Sequence, residues 1–125
     1  MKIDKDIFLG KKILIYGLGK SGISTFKFLK KRADVYLFDD NQKINLKIVT
    51  INQLLKLEFD RIIVSPGINI LDCKLSKFLK KNFSKIYTDL DVFYSFYGNK
   101  SITITGSNGK STTAKILYDV LVDQN

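Results

Sequence analysis

Two stretches of this sequence place glycine, lysine and hydroxyl side chains where phosphate groups could be held. The later one is Thr105-Gly106-Ser107-Asn108-Gly109-Lys110-Ser111-Thr112. Gly106 and Gly109 let backbone N–H groups converge on phosphate oxygens, from Ser107 and Asn108 through Thr112. Lys110 would neutralise the β- and γ-phosphates, and the Ser111 hydroxyl would ligate magnesium. The stretch departs from the general phosphate-loop pattern, because Ile104 and not glycine stands five positions before Gly109.

The earlier stretch is Gly17-Leu18-Gly19-Lys20-Ser21-Gly22. Gly17 permits a tight turn, Gly19 the close approach of a phosphate, and Gly22 the packing of helix on strand. A helix opening at Lys20 and Ser21 would offer N–H groups and a positive dipole end to an anion. Asp39 follows about 20 residues later, where a carboxylate can bind a ribose hydroxyl. Ser65-Pro66-Gly67-Ile68 closes another apolar run, so Ser65 and the Gly67 N–H can face the same ligand. Each motif has a plainer reading: a packing turn, a solvated strand-end acid, an ordinary turn. Histidine is absent, which excludes imidazole base or metal chemistry from this chain. Cys73 has no recognisable base nearby and reads as a small core or surface residue.

The elements that must position these residues alternate between strand and helix. Lys12 to Tyr16, Val35 to Phe38 and Arg61 to Val64 are buried strands; Ile48-Val49 and Ile86-Tyr87 are brief ones. Helices are expected over Ser21 to Lys31, Ile51 to Leu57 and Asp72 to Asn82, the last with a stripe of Leu71, Leu75, Phe78 and Leu79. Leu90, Phe93, Tyr94 and Tyr97 make another helical stripe, ended at Gly98-Asn99. Ser101 to Thr105 is expected as a strand. Lys110 to Leu121 is expected as a helix with Ala114, Leu117 and Leu121 inward. This predicts an α/β fold: a Rossmann-like parallel sheet domain over residues 1–90, then the first strand, phosphate loop and helix of a truncated central ATPase domain over 91–125. A lone strand–loop–helix cannot bury its apolar surface, so the rest of that second unit is expected to lie elsewhere.

The 125 residues are 45% hydrophobic, enough for one domain with a core. No apolar run reaches membrane-spanning length, the N-terminus is not a signal peptide, and the single cysteine fits a reducing cytoplasm. The formal charge of +9 comes almost wholly from dispersed lysines. Arginine is scarce and no aromatic-basic interleave occurs, so neither nucleic acid nor membrane is expected as a partner.

Taken in order, the glycine loop, Asp39, Ser65-Pro66-Gly67-Ile68 and Ile104-Thr105-Gly106-Ser107-Asn108-Gly109-Lys110-Ser111-Thr112 resemble the Mur ligases of peptidoglycan synthesis, closest to their D-glutamate-adding branch. Asn108 stands where the L-alanine-adding branch typically has histidine. Thr88-Asp89-Leu90-Asp91-Val92-Phe93 is similar to the helix linking the family's first two domains. The resemblance implies ATP-dependent ligation of D-glutamate to UDP-N-acetylmuramoyl-L-alanine through an acyl phosphate, with ATP and Mg2+ as cofactors. It puts Lys20 and Ser21 near the diphosphate or uridine, Asp39 on the uridine side, and Ser65 and Gly67 in the same pocket. It gives Lys110 and Ser111 to ATP and magnesium, and it implies that these 125 residues do not turn over alone. Asp40-Asn41 departs from the family's usual pair after the strand-end acid. Two other readings stay open: a dinucleotide-binding oxidoreductase or regulatory module, which leaves Thr105 to Thr112 unexplained, and a non-catalytic UDP-sugar-binding protein.

Overall fold

The run Lys12–Tyr16 carries Ile13 and Ile15 on one side and Leu14 and Tyr16 on the other, all fully buried. A strand apolar on both sides needs cover above and below the sheet, which is what a parallel α/β fold supplies. The structure, a computed structural model, describes residues 7–41, 43–98 and 102–124. Strands β1 (Lys12–Tyr16), β2 (Asp34–Phe38), β3 (Arg61–Val64) and β4 (Ile86–Tyr87) form one sheet in the order β2-β1-β3-β4. All three pairings are parallel. The Rossmann-like α/β expectation holds at this level.

Helices α1 (Lys20–Leu29), α2 (Ile51–Leu55), α3 (Ser76–Lys81) and α4 (Asp89–Phe96) alternate with these strands. Leu54 of α2 with Leu75 and Leu79 at α3 covers Leu14, Tyr16, Phe38, Ile62 and Val64. The opposite face packs Ile13, Ile15, Leu37 and Ile63 against Leu29 of α1 and Val92 of α4. Phe8, just ahead of β1, is buried in that second layer and meets the Tyr87 ring edge-on at 5.3 Å. Each such fully buried side chain contributes about 1.5–3 kcal/mol relative to exposure.

The chain leaves β1 through α1 to reach β2 on one side, then returns so that β3 lies on the other side of β1. The direction of winding therefore reverses between β1 and β3, and in open α/β sheets it is beyond the carboxyl ends of the strands at such a reversal that ligands bind.

Several local expectations are corrected. Residues 48–49 form no strand; Val49 donates one hydrogen bond to the Leu37 carbonyl at 2.8 Å, and the segment stays irregular. The helix expected from Asp72 begins only at Ser76, because turns closed by Asn69 and Cys73 carbonyls precede it and leave Leu71 exposed. In α4 the buried positions are Val92 and Ser95, whereas Leu90, Phe93, Tyr94 and Tyr97 face outward. Both sides of that helix are apolar, so periodicity alone could not select the side that meets α1.

The expected strand at 101–105 is the clearest miss. Ser101 lies outside the described residues, and residues 102–105 form no strand. Helix α5 (Lys110–Asp123) forms as expected, yet none of its residues is buried, so Ala114, Leu117 and Leu121 do not face a core. A strand needs a neighbour and a helix face needs a sheet. Among the described residues, no helix is long and apolar enough to cross a membrane.

Candidate functional site

The crevice is built from the last residues of three adjacent strands. Gly17 follows β1 with φ +94°, a conformation that side chains rarely adopt. A Cβ there would also come within 2.8 Å of Ser65 Cβ. Ser65 is fixed in turn: its N–H donates to the Tyr16 carbonyl at 3.0 Å and its hydroxyl to the Gly17 carbonyl at 2.8 Å. Pro66 and Gly67 then turn outward, and the Ile68 N–H closes the turn on the Ser65 carbonyl at 3.0 Å. The Ser65 hydroxyl proton is thereby committed to the first loop, and its oxygen keeps accepting capacity.

Helix α1 starts directly behind this turn. Gly19 occupies its N-cap position in extended conformation, with no side-chain cap, and open space surrounds the place where a Cβ would stand. Gly22 lies one turn in, and a Cβ there would fall 1.9 Å from the Gly17 carbonyl oxygen. Gly22 is thus required for packing, as the sequence suggested, and the space beside Gly19 is open. Lys20 is exposed beside them. The first N–H groups of α1 have no side-chain cap, an arrangement that can receive an anion.

Asp39 follows β2. One carboxylate oxygen accepts from the Leu18 N–H at 2.6 Å and the other from the Asn41 N–H at 2.7 Å. The acid therefore ties the first loop to the end of β2, a bracing role that sequence spacing did not reveal. Next to it the Tyr16 hydroxyl donates to Asp40 at 2.8 Å. Burial, and then that bond, push the Tyr16 hydroxyl well above its ordinary range, so it stays a neutral donor. Gly17, Gly19, Lys20, Ser21, Gly22, Asp39, Ser65 and Gly67 are in this way gathered at the ends of β1, β2 and β3.

Sequence reasoning missed Asp89. The Ser21 hydroxyl donates to its carboxylate at 2.5 Å, linking the first turns of α1 and α4. Both residues line a cleft of about 460 Å³ with Lys20, Ser24, Phe28 and Phe93. In the capping box that starts α4, Thr88 and Asp91 each bond the other's backbone N–H. Nothing in the spacing tied Asp89 to a serine 68 positions earlier.

The second glycine turn stands apart. Gly106 has φ +146° and Gly109 φ +78°, and Gly109 is the N-cap of the 14-residue α5, again without a side-chain cap. Lys110, Ser111 and Thr112 open the helix, and residues 105–112 are all exposed to solvent. Backbone donors, an ammonium group and hydroxyls in this order fit a magnesium-bound polyphosphate. Among the described residues no cluster of three or more acidic, cysteine or histidine side chains could hold a metal.

The family profile described as "Mur ligase MurD-like, N-terminal domain" matches residues 11–86, the sheet and its crevice. The chain belongs to this family. Curated relatives that bear the name UDP-N-acetylmuramoylalanine–D-glutamate ligase agree. The MurD-like chain is 32% identical to the one from Lachnoclostridium phytofermentans over 91% of its own length and 28% of the relative. It is 37% identical to the Aquifex aeolicus protein over 88% of the chain and 25% of the relative. The Rickettsia felis protein is 35% identical over 89% and 27%. The MurD-like chain thus spans about a quarter of the length of the relatives it matches. No solved structure gave a match.

Proposed function

We propose that the whole protein ligates D-glutamate to UDP-N-acetylmuramoyl-L-alanine at the expense of ATP, and that these residues supply its nucleotide-sugar site and its phosphate loop. The observation that carries the reading is the crevice at the β1/β3 switch point. There an uncapped helix N-terminus, an open glycine and an exposed lysine meet beside braced Asp39 and Ser65. That geometry suits a diphosphate between a base and a sugar.

In this reading Gly17, Gly19, Lys20, Ser21 and Gly22 hold the diphosphate, while Asp39, Ser65 and Gly67 border the uridine. Gly106, Ser107, Asn108, Gly109, Lys110, Ser111 and Thr112 hold ATP, with Ser111 on Mg2+ and Lys110 in the catalytic role. ATP supplies the phosphoryl group that activates the L-alanine carboxylate for attack by the amine of D-glutamate. The protein's part is to orient the carboxylate, neutralise charge and exclude water. The unit boundary falls in α4, with residues 1–90 serving the UDP-substrate and 91–125 opening the ATP-binding unit. The setting is the cytoplasm, where both substrates are expected, with no membrane or nucleic acid involved.

The MurD-like match favours this reading over a dinucleotide oxidoreductase, which assigns no role to Thr105–Thr112. The test is D-glutamate-dependent phosphate release by the whole protein with UDP-N-acetylmuramoyl-L-alanine and ATP. Lys110→Ala is expected to lower kcat by at least about a hundredfold, the usual scale for losing one charge-stabilising group. Release that is indifferent to D-glutamate, or intact in Lys110→Ala, would overturn the assignment.

A further inference from the structure

Asp89 places a carboxylate at the mouth of the same cradle that is proposed for a diphosphate. Its oxygen accepts the one proton of the Ser21 hydroxyl, at the second residue of α1. A phosphate, like a carboxylate, can only accept hydrogen bonds when ionised. Ser21 therefore cannot donate to a diphosphate while it donates to Asp89, and a diphosphate bound at the start of α1 would be repelled by the Asp89 carboxylate. Asp89 is also the first residue of α4, so the bond fastens α4 to α1 at the point where both helices begin.

We infer that Asp89 is an internal competitor for the anion cradle: it tunes the affinity for the diphosphate and ties occupancy of the crevice to the attachment of α4. The inference rests on the nucleotide-sugar reading above. Filling the cradle draws the Ser21 proton to the ligand, weakens the α1–α4 bond and loosens the helix that leads to the Gly106–Gly109 turn. Asp89 is in this account a positioning residue that acts through Ser21. Loss of its charge should help binding, which is the reverse of what a ligand contact or a purely structural bond would give.

The experiment is a double-mutant cycle on Asp89 and Ser21, with UDP and uridine as ligands. Asp89→Asn is expected to bind UDP about fivefold tighter or more, with uridine changed less than about twofold, because only UDP carries the charge that the carboxylate repels. Ser21→Ala is expected to weaken UDP binding at least about threefold more in the Asp89→Asn background than beside Asp89, since there the amide can turn its NH2 toward the hydroxyl oxygen and leave the hydroxyl proton for phosphate. Asp89→Ser, which also removes the charge, should shift UDP in the same direction and guards against an amide variant that fails to fold. Weaker or unchanged UDP binding in both charge-removing variants would overturn the inference. Absence of UDP binding in every form, wild type included, would instead overturn the nucleotide-sugar reading beneath it.

Discussion

Two glycines of one loop do different physical work, and substitution separates them. At Gly22 an added Cβ meets a backbone oxygen at 1.9 Å, so the helix or the turn must move. Gly22→Ala should cost about 1–3 kcal/mol, the range for forced overpacking, seen as a lowered midpoint in denaturant unfolding. At Gly19 the same methyl meets open space, and φ is −72°. Gly19→Ala should cost under about 1 kcal/mol of stability, as an N-cap change, yet weaken UDP by titration because the methyl stands where phosphate must approach. Equal effects of the two substitutions on folding would contradict this division. The packing constraint at Gly22 was legible from spacing alone, since the motif puts a tight turn just ahead of a packed helix. The bracing of Leu18 by Asp39, and of Gly17 by Ser65, was not legible. Those bonds join residues that only the sheet order brings together.

Among the elements, the four strands of the sheet were read well because their apolar runs are short, continuous and bounded by turn residues, whereas the strands expected at 48–49 and 101–105 are not seen among the described residues. The helices were read less well. The α3 region carries an apolar stripe, but the carbonyls of Asn69 and Cys73 capture the backbone in turns before a helix can start. α4 has an apolar residue on every side, so its inward face was settled by α1 and the second core layer, not by its own pattern. Its start is set by chemistry instead. Thr88 bonds the Asp91 N–H through its hydroxyl, and the Asp91 carboxylate bonds back. Thr88→Ala should therefore destabilise the sheet unit by about 1 kcal/mol, and Thr88→Ser should restore most of it. Hydrogen exchange should separate α5 from the rest. A 14-residue helix with no buried residue lacks the tertiary packing that holds isolated helices together. In the 125-residue polypeptide its amides should exchange far faster than those of β1 and β3; protection in α5 matching β1 would contradict the picture.

At the scale of the whole molecule, the parallel sheet, its reversal point and two uncapped helix starts define what the chain can bind. The first glycine turn lies at the carboxyl ends of the central strands and is braced by Asp39 and Ser65. The second lies on a turn and helix whose apolar residues, among them Ile116, Tyr118 and Leu121, stay open to solvent. The net charge of +9 adds a general attraction for anions, so salt must be held constant when ligands are compared. The central claim is that the crevice at the ends of β1 and β3 receives a uridine diphosphate and not a nicotinamide dinucleotide. Calorimetric titration of the same polypeptide with UDP-N-acetylmuramoyl-L-alanine, UDP and NADH tests this most directly. Saturable heats for the two uridine ligands, reduced by Gly19→Ala, with none for NADH, are predicted; saturation by NADH with silence from UDP would contradict the account.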